Sequence, residues 1–491
     1  RSGWHLPYLG ANYSAIYPYR TSILYTDSIP LLAVVCKLLG GVLPARFQYL
    51  GLWGLFCYTM QGGLAQALIA RIGGVRPQDT AKNRASVLGA GVLVLFPALN
   101  IRMFAHTALA ANWLVLLALW VWLCAEQSEN RPSTGKLCLW WGVLGLLCAG
   151  IHLYYLPMVG MVLVATCVQR GLEKRGPAAV VLPIVSFCAV ALAELVVLGA
   201  FAANFAGYSN GYLSGADYFG LFVPWLAQSW EQNVYAGVGT SLAVVLAMFG
   251  IVCNARKAEK FFAAHRDWLI AGAVVLVLDL IAAGGNAITV NGKTLFTVPI
   301  PQFLMNFWAM FSSCARLAWL AGMLLTAVGC GLVLRFWDNG VAPALMLAVC
   351  AVAQGCGQRS ELFNRWTDYH YYGFRYENKT LLTDPVWEQI AASGKYSHLA
   401  FATFDFEHDE FWDLVDFAAD HGWTSNSFYM AHMDGNLAAV TLPGELNELS
   451  ADTLYAFIDE DELTRNSYDL HYYRLDGILI GSVEPIDGIE E

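Results

Sequence analysis

Between residues 47 and 357 this chain passes through ten apolar stretches, and a backbone that repeatedly enters hydrocarbon has few folds open to it. No water is available there, so every N–H and C=O must be satisfied within the segment or by a neighbour. The stretches therefore read as membrane-crossing helices. They fall at about 47–70, 85–104, 106–125, 136–151, 153–169, 178–200, 237–254, 268–284, 314–334 and 340–357. Residues 29–43 are apolar too, but short and interrupted by Lys37, Gly40 and Gly41, which suits an interfacial helix better than a span. Charged residues make up only 13% of the chain, about half the share of a soluble globular protein. The expected fold class is a polytopic α-helical membrane protein.

The charges divide the chain in two. Residues 1–357 hold 21 Lys and Arg against 12 Asp and Glu, a net of +9, whereas residues 358–491 hold 7 against 26, a net of −19. We therefore expect a membrane domain over 1–357, opening with a loop over 1–46, and a soluble α/β domain over 358–491 that is large enough to bury its own core. The acidity of the tail speaks against a nucleic-acid partner. All twelve cysteines lie at or before Cys356 without a C-x-x-C pair, so they read as small buried hydrophobes and not as a disulfide or zinc framework. The chain opens at Arg1 inside a polar loop with no visible signal peptide, so a segment upstream is expected.

Basic residues set an orientation. Arg71, Arg76, Lys82 and Arg84, then Arg131 and Lys136, then Arg170, Lys174 and Arg175, then Arg256, Lys257, Lys260 and Arg266, and finally Arg335 occupy alternate connections. With ten spans they share the cytoplasmic face, which sends loops 1–46, 202–236 and 285–313 and the acidic tail outside.

Polar chemistry collects on that outer side. Asp27 sits between a Tyr- and Asn-rich loop and the apolar run opened by Pro30. It serves either as a helix cap, shared with Ser28, or as an acid at the membrane surface. Arg102 and His106 flank one outer turn; His152, Tyr154 and Tyr155 occupy another; Arg316 stands just inside the span from 314. The 202–236 loop adds Tyr208, Asn210, Tyr212, Asp217, Trp225, Trp230 and Glu231. Each of these also fits an ordinary boundary or packing role. Together, Asp27, Arg102, His106, His152 and Arg316 are expected to line one outward-facing cavity. Glu194 and Asp279 lie inside spans and must face a polar interior or a partner.

The tail alternates elements. A strand is expected over 397–404, a helix capped by Asp405 over 407–420, a short strand over 426–430, and a helix opened by Asp384-Pro385 to about 393. Asp476-Gly477 predicts a two-residue hairpin between 472–475 and 478–480. The acidic groups Glu407/Asp409/Glu410 and Asp459/Glu460/Asp461/Glu462 match no EF-hand and read as solvated charge; no cofactor is called for, and a divalent metal stays open. No nucleophile motif, P-loop or G-x-G-x-x-G is present. Asn12-Tyr13-Ser14 and Asn378-Lys379-Thr380 are sequons on the expected outer face.

Several pieces resemble a little-characterised bacterial family of polytopic proteins related to GT-C glycosyltransferases. They are Trp4-His5-Leu6-Pro7, Tyr25-Thr26-Asp27-Ser28-Ile29-Pro30-Leu31-Leu32, Phe47-Gln48-Tyr49-Leu50-Gly51-Leu52-Trp53, Arg102 through Leu109 with Asn112-Trp113-Leu114, and His152-Leu153-Tyr154-Tyr155-Leu156-Pro157. Arg316 with Trp319 resembles that family's Arg-aromatic-Trp signature, although Leu317-Ala318 replace the aromatics. Tail pieces 426–431 and 452–455 resemble its soluble domain.

The resemblance implies a GT-C-like fold in a bacterial plasma membrane, a polyprenyl-phosphate sugar as donor, and a glycan or lipid acceptor at the outer leaflet. It implies Asp27 as a catalytic acidic group, with the family's main carboxylate lying before Arg1. It implies Trp4, His5, Arg102, His106, His152, Tyr155 and Arg316 as substrate contacts. A flippase of lipid or sugar, and a non-catalytic subunit with a docking tail, are the competing readings.

Overall fold

The computed structural model describes residues 3–44, 47–126, 131–203, 212–223, 232, 234–337, 341–372, 380–402, 408–430, 448–458 and 467–488. Two short strands, β1 (Ala11–Asn12) and β2 (Thr21–Ser22), precede helices α1 (Pro30–Leu38), α2 (Leu50–Gly73), α3 (Thr80–Val94), α4 (Pro97–Met103) and α5 (Trp113–Glu126). Next come α6 (Thr134–Ile151), α7 (Tyr155–Leu172), α8 (Pro177–Val197), α9 (Val238–Cys253), α10 (Ala255–Ala264) and α11 (Arg266–Gly284). Strands β3 (Ala287–Val290) and β4 (Lys293–Thr297) lead to α12 (Gln302–Trp308), α13 (Trp319–Phe336), α14 (Val341–Gly357) and α15 (Arg359–Tyr372). The tail holds α16 (Val386–Ala392), β5 (His398–Phe401), α17 (Asp409–Asp420), β6 (Thr424–Ser425), β7 (Thr453–Phe457), β8 (His471–Leu475) and β9 (Ile478–Ser482).

Two compact units result: Arg1–Ser28 with Leu195–Tyr208 and Tyr372–Glu491, and Ile29–Glu194 with Ser209–Tyr371. They do not coincide with a division at residue 357, because the first polar loop belongs with the tail.

The larger unit is the helical one. Among the described residues six helices are long and apolar enough to cross a membrane, or nine if each of three bent pairs counts as one span. The expected tenth, α2, has 24 residues but stands outside that set, lowered by polar residues such as Gln61 and Gln66. The span expected over 85–104 is two helices bent by 53° at Leu95–Phe96, ahead of Pro97. Proline has no N–H to continue the ladder, so the helical pattern is interrupted here; Leu93 O and Phe96 O still accept from the Phe96 and Leu99 amides at 3.2 and 3.1 Å. Glutamine and asparagine side chains add further bonds to the carbonyls around the break. Gln61 Nε2 donates to Leu93 O at 3.1 Å, Gln354 Nε2 to Leu95 O at 3.3 Å, and Asn100 Nδ2 to Phe96 O at 3.4 Å. Gln354 also donates to Ala236 O at 3.0 Å and accepts from Gly239 N at 2.8 Å, tying the break to the start of α9.

Helix α13 runs through the centre, with 15 of its 18 residues buried. Small residues make that possible: a Cβ on Gly329 would stand 3.2 Å from the Ala243 backbone of α9. The Thr326 and Thr240 hydroxyls meet at 2.7 Å across the same contact. The apolar window of α8, by contrast, is only 17% buried, which leaves its Val and Leu side chains to lipid.

Three local expectations need correction. The connection 255–266 is the helix α10, turned 105° from α9, with Ala258 buried and Lys257 and Lys260 exposed, as an amphipathic surface helix requires. Residues 285–313 are not plain loop but carry the β3–β4 hairpin and α12. Neither Asp27 nor Ser28 caps α1: Ile29 takes the N-cap position without a side-chain bond, and Ser28 Oγ donates to Ile23 O at 2.9 Å.

In the other unit a five-stranded sheet runs β6-β5-β7-β9-β8, with β5 parallel to β6 and β7 and the β8–β9 hairpin antiparallel. Strand alternation sends Leu399 and Phe401 to the face packed by Trp387, Phe411 and Leu414, and Ala400 to the opposite face with Tyr455 and Phe457. The edge strand β6 is covered by the first loop: Ser425 N donates to Ser14 O and Tyr17 N to Ser425 O, both at 2.7 Å. Asp405 lies outside the described residues, and α17 starts at Asp409 with His408 at its N-cap. The expected strand 426–430 is displaced to 424–425, because Asn426 instead pairs its side chain with both backbone groups of Phe401.

The expected hairpin turn forms, with Asp476 and Gly477 both at positive φ. Asp476 holds α16 in place, accepting from Thr383 N, Thr383 Oγ1, Asp384 N and Trp387 Nε1 at 2.7 to 3.0 Å. Burial acts to raise its carboxyl, but the donors outweigh it and hold the group below the usual carboxylate range. The folded value is thus the lower one. Its contribution is complete above the unfolded value of about 3.9 and fades as pH falls through the folded one. We expect Asp476→Ala to cost about 1–2 kcal/mol after discounting for exposure. Hydrogen exchange on the full chain should then show faster opening of α16 and β8–β9, and acidification should reproduce that in the unsubstituted protein.

Candidate functional site

The break at Leu95 sets where the site forms. It turns α4 away from α3, so that Arg102, in the last turn of α4, enters the interior. A 3-10 turn over Thr107–Ala110 then leads into α5. At the start of α7, Tyr155 is fully buried and its hydroxyl donates to Leu109 O at 2.6 Å, 3.2 Å from Asn112 Oδ1. From the far end of the sequence, the 3-10 turn Cys314–Ala318 brings Arg316 to the head of α13.

These groups converge. Arg102 is 2% exposed, with its guanidinium 5.7 Å above the Trp319 ring; Arg316 is 8% exposed, with its guanidinium 4.9 Å above Tyr154. The two are linked through these rings: Tyr154 precedes Tyr155 in the chain, and Trp319 follows Arg316 by three residues at the head of α13. Tyr154 Oη accepts from Ser313 N at 3.0 Å, which fixes the ring under Arg316. His152 ends α6 and its Nδ1 accepts from Tyr154 N at 3.3 Å. Asn112 Nδ2 is buried with no hydrogen-bond partner among the described residues. Two desolvated cations, aromatic faces and a spare amide donor form a cluster that suits an anion such as phosphate.

The positions expected from sequence therefore separate. Arg102, Tyr155 and Arg316 come together, and His152 joins through Tyr154. Both arginines are buried. His106 is half-buried at the head of the Thr107 turn. Trp4, His5 and Asp27 belong to the other compact unit, where the His5 ring lies 4.1 Å from that of Tyr13. Tyr208, Asn210, Trp225, Trp230 and Glu231, like Glu407, Asp459, Glu460, Asp461, Glu462 and Asn378, lie outside the described residues. Asp217 has a structural task, accepting from Phe219 N at 3.0 Å and from Gly292 N at 2.6 Å. Among the described residues no group of three or more His, Cys, Asp or Glu is placed to hold a metal ion.

The two acids within spans differ: Glu194 is half-buried and Asp279 fully buried. Glu194 packs beside Gly150, where a Cβ would stand 3.1 Å from Oε1. Asp279 of α11 accepts from Ala321 N at 3.0 Å, in the first turn of α13, and so caps the helix whose preceding turn bears Arg316. Sequence reasoning asked for a partner there without finding this one, since a backbone amide leaves no mark in composition. It also missed Gln354, although a lone glutamine in the apolar run of α14 is such a mark.

A family model described as "Domain of unknown function (DUF6311)" matches residues 1–358, and the DUF6311 C-terminal domain model matches residues 386–483. The chain belongs to this family. No curated protein and no solved structure matches it.

Removing the cap should loosen the site. Asp279→Ala strands the Ala321 amide in an apolar interior, a loss of about 1–3 kcal/mol. Asp279→Asn keeps an acceptor and should retain most of that stability. Thermal unfolding of the detergent-solubilised chain, followed by gel filtration, should show a clear drop for Ala and a smaller one for Asn.

Proposed function

For this DUF6311 protein we propose a membrane glycosyltransferase that takes its sugar from a polyprenyl-phosphate donor and delivers it to a cell-envelope acceptor. The observation that carries this reading is that the buried Arg102 and Arg316 stack on Trp319 and Tyr154, next in sequence to Tyr155, whose hydroxyl bonds Asn112 with its spare amide. Two guanidiniums with aromatic rings against them suit an anion that a lipid can bring to that depth. A sugar phosphate on a polyprenyl chain has that chemistry.

In the reaction an acceptor hydroxyl oxygen attacks the anomeric carbon, and the bond from that carbon to the phosphate oxygen breaks. The phosphate leaves with the bonding electrons, and Arg102 and Arg316 stabilise the charge that develops on it. The hydroxyl proton passes to a carboxylate base. The acceptor acts at the outer leaflet, with the acidic tail outside. The bent helices favour one second reading, a transporter of lipid or sugar, since broken spans are common where transporters bind their cargo.

The test uses the full chain in nanodiscs with radiolabelled polyprenyl-phosphate sugars and mixed envelope acceptors. Arg102→Ala and Arg316→Ala should each lower transfer about 10²–10³-fold, the usual loss for a donor to a developing oxyanion, with gel filtration unchanged. Asp27→Asn tests the base separately. Lipid movement between leaflets without transfer would hand the site to the transporter reading.

A further inference from the structure

We infer that the segment between α11 and the Cys314 turn, the β3–β4 hairpin with α12, lies at the headgroup–acyl boundary of the lipid leaflet at the Gly284 end of α11, with its apolar side chains toward the acyl chains. The inference does not rest on the sugar-transfer reading. Residues 285–313 contain a single charge, Lys293, yet residues 291–299 are exposed throughout. Leu295, Phe296, Phe303 and Phe307 are each more than half exposed, and Leu304, Val298 and Met310 stand beside them in the sequence. A two-stranded hairpin is marginal in water and needs an apolar surface to settle on. So contiguous an apolar surface would not be left to water.

The occupant is identified by where the element is tied. Trp308 Nε1 donates to Ala282 O at 3.2 Å, in the last turn of α11. The neighbouring Val277 and Ile281 of that helix are themselves largely exposed, on a helix long and apolar enough to span a membrane. The surface of α12 thus continues the surface that α11 offers to acyl chains. On its other side the hairpin turn is held by Asp217, through the Gly292 amide. The element is fixed at both edges, and its apolar side chains lie between. It ends at Phe311, whose ring meets Tyr154 edge-on at 5.4 Å, so the immersed surface runs up to the ring beneath Arg316.

Photocrosslinking on the full chain tests this. A p-benzoylphenylalanine is placed singly at Phe296, Phe303 or Phe307, with one copy per nanodisc of phosphatidylethanolamine and phosphatidylglycerol. Val185 on the exposed face of α8 serves as the lipid-facing reference, and Glu388 in the acidic tail as the water-facing one. The immersed element should give acyl-chain adducts at a yield comparable to Val185 and about tenfold above Glu388, as expected for side chains below the headgroups. Adducts to a second copy or another protein, obtained with several copies per disc or in native membranes, would overturn the inference. So would an absence of lipid adducts at all three positions while Val185 still gives them.

Discussion

Backbone hydrogen bonding in an apolar interior is the constraint on which the rest depends. The chain breaks a helix at Leu95–Phe96, and side chains supplement the backbone bonds there: Gln354 serves Leu95 O, while Gln61 and Asn100 add to Leu93 O and Phe96 O. The break turns α4 inward and carries Arg102 with it. Asp279 does the corresponding work at the head of α13, where it caps the helix that follows Arg316. Polar side chains in the spans thus do structural work here, and they help to place Arg102 and Arg316.

Seen this way, the arginine cluster is held from three directions. Arg102 arrives on the broken helix, Tyr154 and Tyr155 on the first turn of α7, and Arg316 on the 3-10 turn before α13. Aromatic rings lie under both guanidiniums, which helps to orient the cations. Arg365 of α15 adds a third such contact, over Phe104 at the end of α4. Preorganised charge of this kind is costly to fold and is effective toward an anion that comes to it.

What could be read from the sequence follows a physical line. Apolar runs of the right length mark helices, so nearly every expected span has its helix, and Asp476-Gly477 marks a turn because both residues must take positive φ. The same signal at Asn291-Gly292 was there to be read, and it closes the β3–β4 hairpin. The charge pattern of 255–266 also has the amphipathic period of a helix. Non-local facts were not legible. Gln354 meets Leu95 across 259 positions, and nothing in the Pro97 region names that partner. The burial of Arg102 and Arg316 is of the same kind: each looks like a boundary arginine until the break and the 3-10 turn carry it inside. Strand β6 shows the local version, where Asn426 takes over the pairing that a strand would have made.

The central claim is that Arg102 and Arg316 together receive a lipid-borne phosphate, and the most direct measurement is a structure of the full-length protein bound to a polyprenyl phosphate in nanodiscs. The account predicts phosphate density within hydrogen-bond distance of both guanidiniums, beside Asn112 and the Tyr155 hydroxyl. Phosphate density held elsewhere, with both arginines as buried as before, would contradict it.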